Sequence, residues 1–110
     1  MASSRGLGRA CAAALAREGV DVVVNGRTES DVRMTAESIA SKYTVSAIPV
    51  VGDSSTPAVH DGLLAACPEP DIVLLNGEGP PPTPFSNISE EDWEESARRT
   101  MISPLLFVQR

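Results

Sequence analysis

The chain has 110 residues, 42% of them apolar, with 9 basic against 15 acidic side chains for a net charge of −6. That length holds one domain at most, read here as a single unit over 1–110, and the apolar share is enough for a core. An acidic chain without a basic stripe argues against nucleic acid and anionic membrane surfaces as partners, and no apolar run is long enough to cross a bilayer.

The opening residues, Ser3-Ser4-Arg5-Gly6-Leu7-Gly8, read as a glycine-rich turn feeding a helix from Arg9 to Glu18. Glycines let backbone N–H groups approach a pyrophosphate, and a helix N-terminus adds partial positive charge, so this is the layout of a dinucleotide phosphate site. Such a turn ordinarily follows a buried strand. Only Met1 and Ala2 precede it, so the chain reads as beginning just after its own first strand, with Arg110 falling in mid-helix. Gly19 stops the first helix. Val20–Val24 is nearly all β-branched, as in a strand buried on both faces of a parallel sheet.

After Asn25-Gly26-Arg27, Thr28 or Ser30 caps a helix through about Tyr43, with Val32, Ala36, Ile39 and Ala40 on one face. Val45–Val51 is a second strand whose Pro49 suits an end or an edge. Gly52-Asp53-Ser54-Ser55 turns the chain into a short helix over Pro57–Ala66, with Val59, Leu63 and Leu64 inward and His60 on the surface. Asp71–Leu75 reads as a third strand, closed by Asn76-Gly77-Glu78-Gly79 and followed by a stiff loop over Pro80–Pro84. Ser89 then caps a helix with Glu90, Glu91 and Asp92 in its first turn, running toward Arg110, and Pro104 should kink or loosen it. Strands alternating with helices predict an α/β fold, a parallel sheet covered on both faces. Cys11, in an alanine-rich helix, and Cys67, beside Pro68, fit reduced thiols and a cytoplasmic setting, and the N-terminus lacks a secretory pattern.

Over essentially its whole length the chain resembles the short-chain dehydrogenase/reductase family, in its 3-oxoacyl-reductase-like branch. The family opens on Thr-Gly-x-x-x-Gly-x-Gly; aligned on Gly6 and Gly8, Met1 stands at the threonine and Ala2 at the first glycine, where alanine is tolerated if its φ is negative. The resemblance implies a partial Rossmann fold, a doubly wound parallel sheet missing its first and its later strands. It also implies a cofactor site built from Ser3, Arg5, Gly6, Leu7, Gly8, Arg27, Asp53, Ser54, Asn76 and Gly77.

Asn25-Gly26-Arg27 carries no carboxylate where an NAD enzyme holds the ribose hydroxyls. Arg27, helped by Arg5, can instead pair with a 2′-phosphate, which points to NADP(H). The plainer alternative makes both arginines solvated surface charges. Asp53, with Ser54 beside it, matches the family aspartate that approaches the adenine amino group, and fits equally a turn aspartate capping the next helix. Asn76-Gly77 fits a tight turn beneath the cofactor ribose, whereas Leu75 and Glu78 depart from the family's Asn-Asn-Ala-Gly. Thr100 stands seven residues after Trp93, where the family carries a water-holding asparagine; its hydroxyl equally suits a bond to its own helix.

The family's serine and Tyr-x-x-x-Lys pair are absent. The lone tyrosine, Tyr43, is followed four residues on by Ala47 and reads as closing a helix against the sheet. A single histidine is weak evidence for a metal. The implied function is the cofactor-binding portion of an NADP-dependent oxidoreductase, with hydride moving between NADP(H) and a small carbonyl or alcohol in the full-length relative. The span alone is expected to be inactive. The alternative is a non-catalytic nucleotide-binding or interaction fragment of the same fold; a flavodoxin-like regulatory domain has only Asp53 in its favour. The substrate cannot be read, and homo-oligomer formation through the last helix stays open. Without a first strand, Val20–Val24 and Asp71–Leu75 each lose a neighbour, so the span is expected to be marginal, aggregation-prone or paired with another chain.

Overall fold

Two β-branched runs and three helices with one apolar stripe each sort the first two-thirds of the chain into layers. The computed structural model describes residues 1–77, 79 and 82–110. Its elements are α1 (Gly6–Arg17), β1 (Val22–Gly26), α2 (Glu29–Tyr43), β2 (Ala47–Val51), α3 (Pro57–Ala66), a 3₁₀ turn at Phe85–Asn87, α4 (Glu90–Ala97), a π-helical turn at Arg98–Ile102 and α5 (Ser103–Val108). β1 and β2 pair in parallel, from Val22 opposite Ala47 to Gly26 opposite Val51. A parallel pair cannot be joined by a hairpin, and α2 is the crossover.

The core lies between this pair and two helices. Ala12 and Ala16 of α1 meet Val22 and Val24 of β1 and Val32, Ala36 and Ile39 of α2, with Leu15, Tyr43, Val45 and Ala47 around them. Alanines one turn apart let α1 lie close to the strand. Val24 and Val32 are 0% exposed, and burying each contributes about 1.5–3 kcal/mol. Tyr43 ends α2 against this core as read, and Thr44 follows in the left-handed region at φ +57°. Because Val22 N–H donates to the Ser46 carbonyl, ladder alternation aims position 49 at the outer edge, where Pro49 lacks no inter-strand bond. α1 starts three residues before the predicted Arg9, because the Arg9 N–H already donates to the Arg5 carbonyl at 3.1 Å.

The third predicted strand does not form. Asp71–Leu75 joins no ladder among the described residues, and Ile72, Val73, Leu74 and Leu75 stay 37–57% exposed. Residues 1–3 instead bridge the end of β1 to the end of this segment. Ser3 N–H donates to the Asn25 carbonyl at 2.6 Å, Asn25 N–H donates to Ser3 Oγ at 2.9 Å, and the Met1 amino group donates to the Leu74 carbonyl at 3.0 Å. These residues thus link the end of β1 to the 74–76 segment. Four consecutive exposed apolar residues beside an open strand edge are an aggregation liability.

The last helical stretch follows its sequence signals. Ser89 and Asp92 form a capping box: Asp92 N–H donates to Ser89 Oγ at 3.2 Å, and Ser89 N–H to Asp92 Oδ2 at 2.9 Å. The loosening expected at Pro104 takes the form of the π-turn just before it. Proline offers no N–H to the carbonyl four residues back, and a widened turn accommodates that gap. Glu78 and the Pro80-Pro81 part of the predicted stiff loop lie outside the described residues. Among those described, no helix is long and apolar enough to cross a membrane.

Candidate functional site

A cleft of about 380 Å³ opens where β1 and β2 end. Parallel strands deliver their C-terminal loops to one edge of the sheet, and ligands of open α/β sheets bind there. Arg5, Gly6 and Leu7 of the opening turn form one wall. Gly26 and Arg27 follow β1, Gly52–Ser55 follow β2, and Asn76, Gly77 and Arg99 close the far side. Of the residues predicted for a cofactor, Arg5, Gly6, Leu7, Arg27, Asp53, Ser54, Asn76 and Gly77 line this one cleft.

Ser3 and Gly8 stand behind the wall and shape it. Ser3 is buried on the Asn25 backbone through the bonds given above. A Cβ on Gly8 would lie 2.2 Å from the Ala2 carbonyl oxygen and 3.0 Å from Asn76 Nδ2, so only glycine permits that approach. Gly6 turns the chain at φ +51°, a left-handed angle that disfavours any Cβ. Ala2 departs from expectation: its φ is +44°, not negative. Its N–H is held by Asn25 Oδ1 and its carbonyl by Asn76 Nδ2, both at 3.1 Å. These two bonds hold a bend that costs alanine about 1–2 kcal/mol.

Asn25 is the residue the sequence reading missed. It is 1% exposed, and its Nδ2 donates to the carbonyls of Val50 at 3.0 Å and Gly52 at 3.2 Å. One amide therefore ties together the ends of both strands and residue 2. The available signal was an amide side chain directly after a β-branched run, where a buried polar group needs partners.

Arg5 is neither a lone surface charge nor fully given over to the cleft: its guanidinium pairs with Asp31 on α2, with Nε 2.9 Å from Oδ2. Asp53 lines the cleft and makes the turn read for it. Its Oδ1 accepts from the Ser55 N–H at 2.9 Å and the Ser55 hydroxyl at 2.8 Å, making the turn that starts α3. Its Oδ2 lies 3.8 Å from the Arg99 guanidinium in the cleft wall. The Ser55 N–H bond holds the Asp53 carboxyl below its ordinary range; desolvation opposes this, and the Ser55 hydroxyl, Arg99 and Arg27 reinforce it.

A lowered folded-state value stabilises the protein above the ordinary carboxylate range and ceases to do so as the folded carboxylate takes up its proton. Asp53→Asn keeps the turn acceptor but removes the charge. Its stability deficit against wild type, read from urea midpoints, is therefore expected at pH 7 and to shrink toward pH 3.

Thr100 donates its hydroxyl to the Ser96 carbonyl at 2.7 Å and does not line the main cleft. It sits instead on a smaller cleft with Leu75, Met101 and Leu105. His60 is not on the helix surface as predicted. It is 3% exposed, its Nε2 lies 2.9 Å from the Ser54 carbonyl oxygen, and its ring meets Phe107 edge-on at 5.1 Å. Together with Leu63, three residues on, it forms the buried side of α3. Cys11 and Cys67 are free thiols. Among the described residues no three histidine, cysteine or carboxylate side chains converge as a metal site would require.

Over residues 1–110 the chain matches the family described as short chain dehydrogenase. An uncharacterized oxidoreductase, YvaG of Bacillus subtilis (strain 168), is 32% identical over 92 residues, covering 83% of this chain and 35% of that protein. The 3-oxoacyl-[acyl-carrier-protein] reductase FabG of Aquifex aeolicus (strain VF5) is 29% identical over 111 residues, covering 97% of this chain and 45% of that one. Among solved structures, YwfH, an NADPH-dependent reductase of bacilysin biosynthesis, superposes with a TM-score of 0.86 at 25% identity, over 97% of this chain and 47% of its own. The chain thus spans less than half the length of these relatives.

Proposed function

The chain belongs to the short-chain dehydrogenase family, and from that premise we propose that its cleft holds the phosphorylated adenosine end of NADP(H), as the cofactor-binding portion of an oxidoreductase. The observation that carries this reading is the convergence of the first turn of α1, Arg5 and Arg27 on one cleft at the ends of two parallel strands. The N–H groups that open a helix have no intrahelical acceptor and favour an anion. The close approach at Gly8 and the left-handed Gly6 leave the wall low enough for a pyrophosphate to reach them.

Arg27 would meet the 2′-phosphate with its planar donor fork, with Arg5 adding a second guanidinium already anchored by Asp31. Asp53, kept ionised by Ser55, would accept from the adenine amino group, and Asn76 and Gly77 would border the ribose. The bound cofactor supplies hydride chemistry toward a small carbonyl or alcohol. This chain's own residues bind and orient its adenosine half. The likeness to YwfH, an NADPH-dependent reductase, supports the cofactor type.

Titrating the purified chain with NADPH and NADH by fluorescence tests the reading. NADPH is expected to bind at least about tenfold more tightly, since a charge-assisted phosphate contact contributes about 1.5–3 kcal/mol. Arg27→Ala is expected to shrink the difference by weakening NADPH alone, the remainder being the contribution of Arg5. Equal affinities in the wild type would refute the assignment of the two arginines.

A further inference from the structure

Two contacts from the last helical stretch converge on one turn of the cleft. Arg99, in the π-turn, faces Asp53 at 3.8 Å. Four residues on, the Ser103 hydroxyl lies 3.4 Å from the Ser54 carbonyl oxygen and 3.3 Å from His60 Nε2, which is itself 2.9 Å from that same carbonyl. The carbonyl can only accept, so the imidazole carries its proton on Nε2 and the serine hydroxyl supplies a second donor. His60 is 3% and Ser103 4% exposed, and Phe107 closes the imidazole from the outside. A half-buried carbonyl held by the imidazole N–H at 2.9 Å, with the serine hydroxyl as a longer second donor, is restricted in orientation. The peptide that follows Ser54 includes the Ser55 N–H, which holds the Asp53 carboxylate.

We propose that His60 is a positioning residue for the adenosine end of the cleft. By locking the Ser54 carbonyl it fixes the direction of Asp53 and Ser55, and through Ser103 it makes the α5 segment a determinant of nucleotide affinity. This rests on reading the cleft as a dinucleotide site. The tether acts directly on the turn after β2 and reaches Arg27 after β1 only through the Asp53 charge, so it should change how tightly adenosine is held with little change in the preference for a 2′-phosphate.

The test combines a ligand-free and a ligand-bound measurement on the full chain. In amide hydrogen exchange, His60→Leu and Ser103→Ala are expected to speed exchange at Ser55 at least about fivefold while leaving Val24 and Val32 unchanged. His60→Gln, whose amide nitrogen can take the place of Nε2, is expected to restore protection. In titrations with NADPH and with adenosine 2′,5′-bisphosphate, His60→Leu and Ser103→Ala should weaken both about five- to thirtyfold, with the NADPH-to-NADH ratio kept and His60→Gln near wild type.

Should His60→Leu fail to fold, Ser103→Ala decides. Unchanged Ser55 exchange in a folded variant overturns the tether, and faster exchange with unchanged affinity overturns its role in nucleotide binding. If the wild type binds neither probe, the dinucleotide reading fails and takes the ligand half of this proposal with it, while the exchange result still decides whether His60 holds the turn.

Discussion

Gly8→Ala is expected to destabilise the protein by about 2–3 kcal/mol and to abolish measurable NADPH binding. The added Cβ would fall 2.2 Å from the Ala2 carbonyl oxygen, with the Ala2 carbonyl carbon and Asn76 Nδ2 each at 3.0 Å. Two of those three atoms are backbone, so a side-chain rotation does not clear them. Residues 1–3 would have to move, breaking the Ala2 bonds to Asn25 and Asn76 and displacing the turn that leads into Gly6. Overpacking of this kind typically costs about 1–3 kcal/mol.

Helix propensity alone makes the opposite forecast, since alanine inside a helix is favoured over glycine by about 1 kcal/mol. Gly62→Ala in α3 is the control: its Cβ would meet only Val50 Cγ1, at 3.5 Å, so a gain of about 0.5–1 kcal/mol is expected there. Urea denaturation of both variants separates packing from propensity. A stabilised Gly8→Ala protein would mean that residues 1–3 do not pack on α1.

The second large effect belongs to Asn25. Asn25→Leu preserves approximate volume but leaves the Val50 and Gly52 carbonyls and the Ala2 N–H without their side-chain partner. An unsatisfied buried backbone group costs about 1–3 kcal/mol. The Val50 carbonyl keeps its ladder bond from the Gly26 N–H, and the other two groups are half-buried beside the cleft, so a loss of about 2–4 kcal/mol is expected. Against a typical total of about 5–15 kcal/mol, that is a large share, visible as a lowered urea midpoint by far-UV circular dichroism. A loss under about 1 kcal/mol would show that this amide does not join the strand ends. The Ser3 contacts use the Asn25 backbone and should survive, so residual protection at Ser3 in hydrogen exchange distinguishes loss of the side-chain bridge from loss of the whole turn.

Some of this was legible in the residues. The glycine turn, β1, α2 and the Ser89 cap were read close to where they occur, since each depends on neighbours a few positions away: a φ that needs glycine, a β-branched run, an apolar stripe, a serine three residues before a carboxylate. The cleft lining was legible for the same reason, because loops that follow parallel strands are brought to one edge by the chain's own alternation.

Other features depend on partners far along the chain. Asp71–Leu75 has strand composition, yet a strand exists only beside another strand, and among the described residues this segment pairs with none. His60 and Asn25 are buried because Phe107, Ser103, Val50 and Gly52 come to meet them. Arg5 is anchored by a carboxylate on a different helix. Ala2 adopts a left-handed angle because two distant asparagines hold both of its peptide groups. Local stereochemistry and periodicity are written into the order of residues. Which edges are paired, which polar groups are buried and which charges meet is settled only when segments distant in the chain are brought into contact.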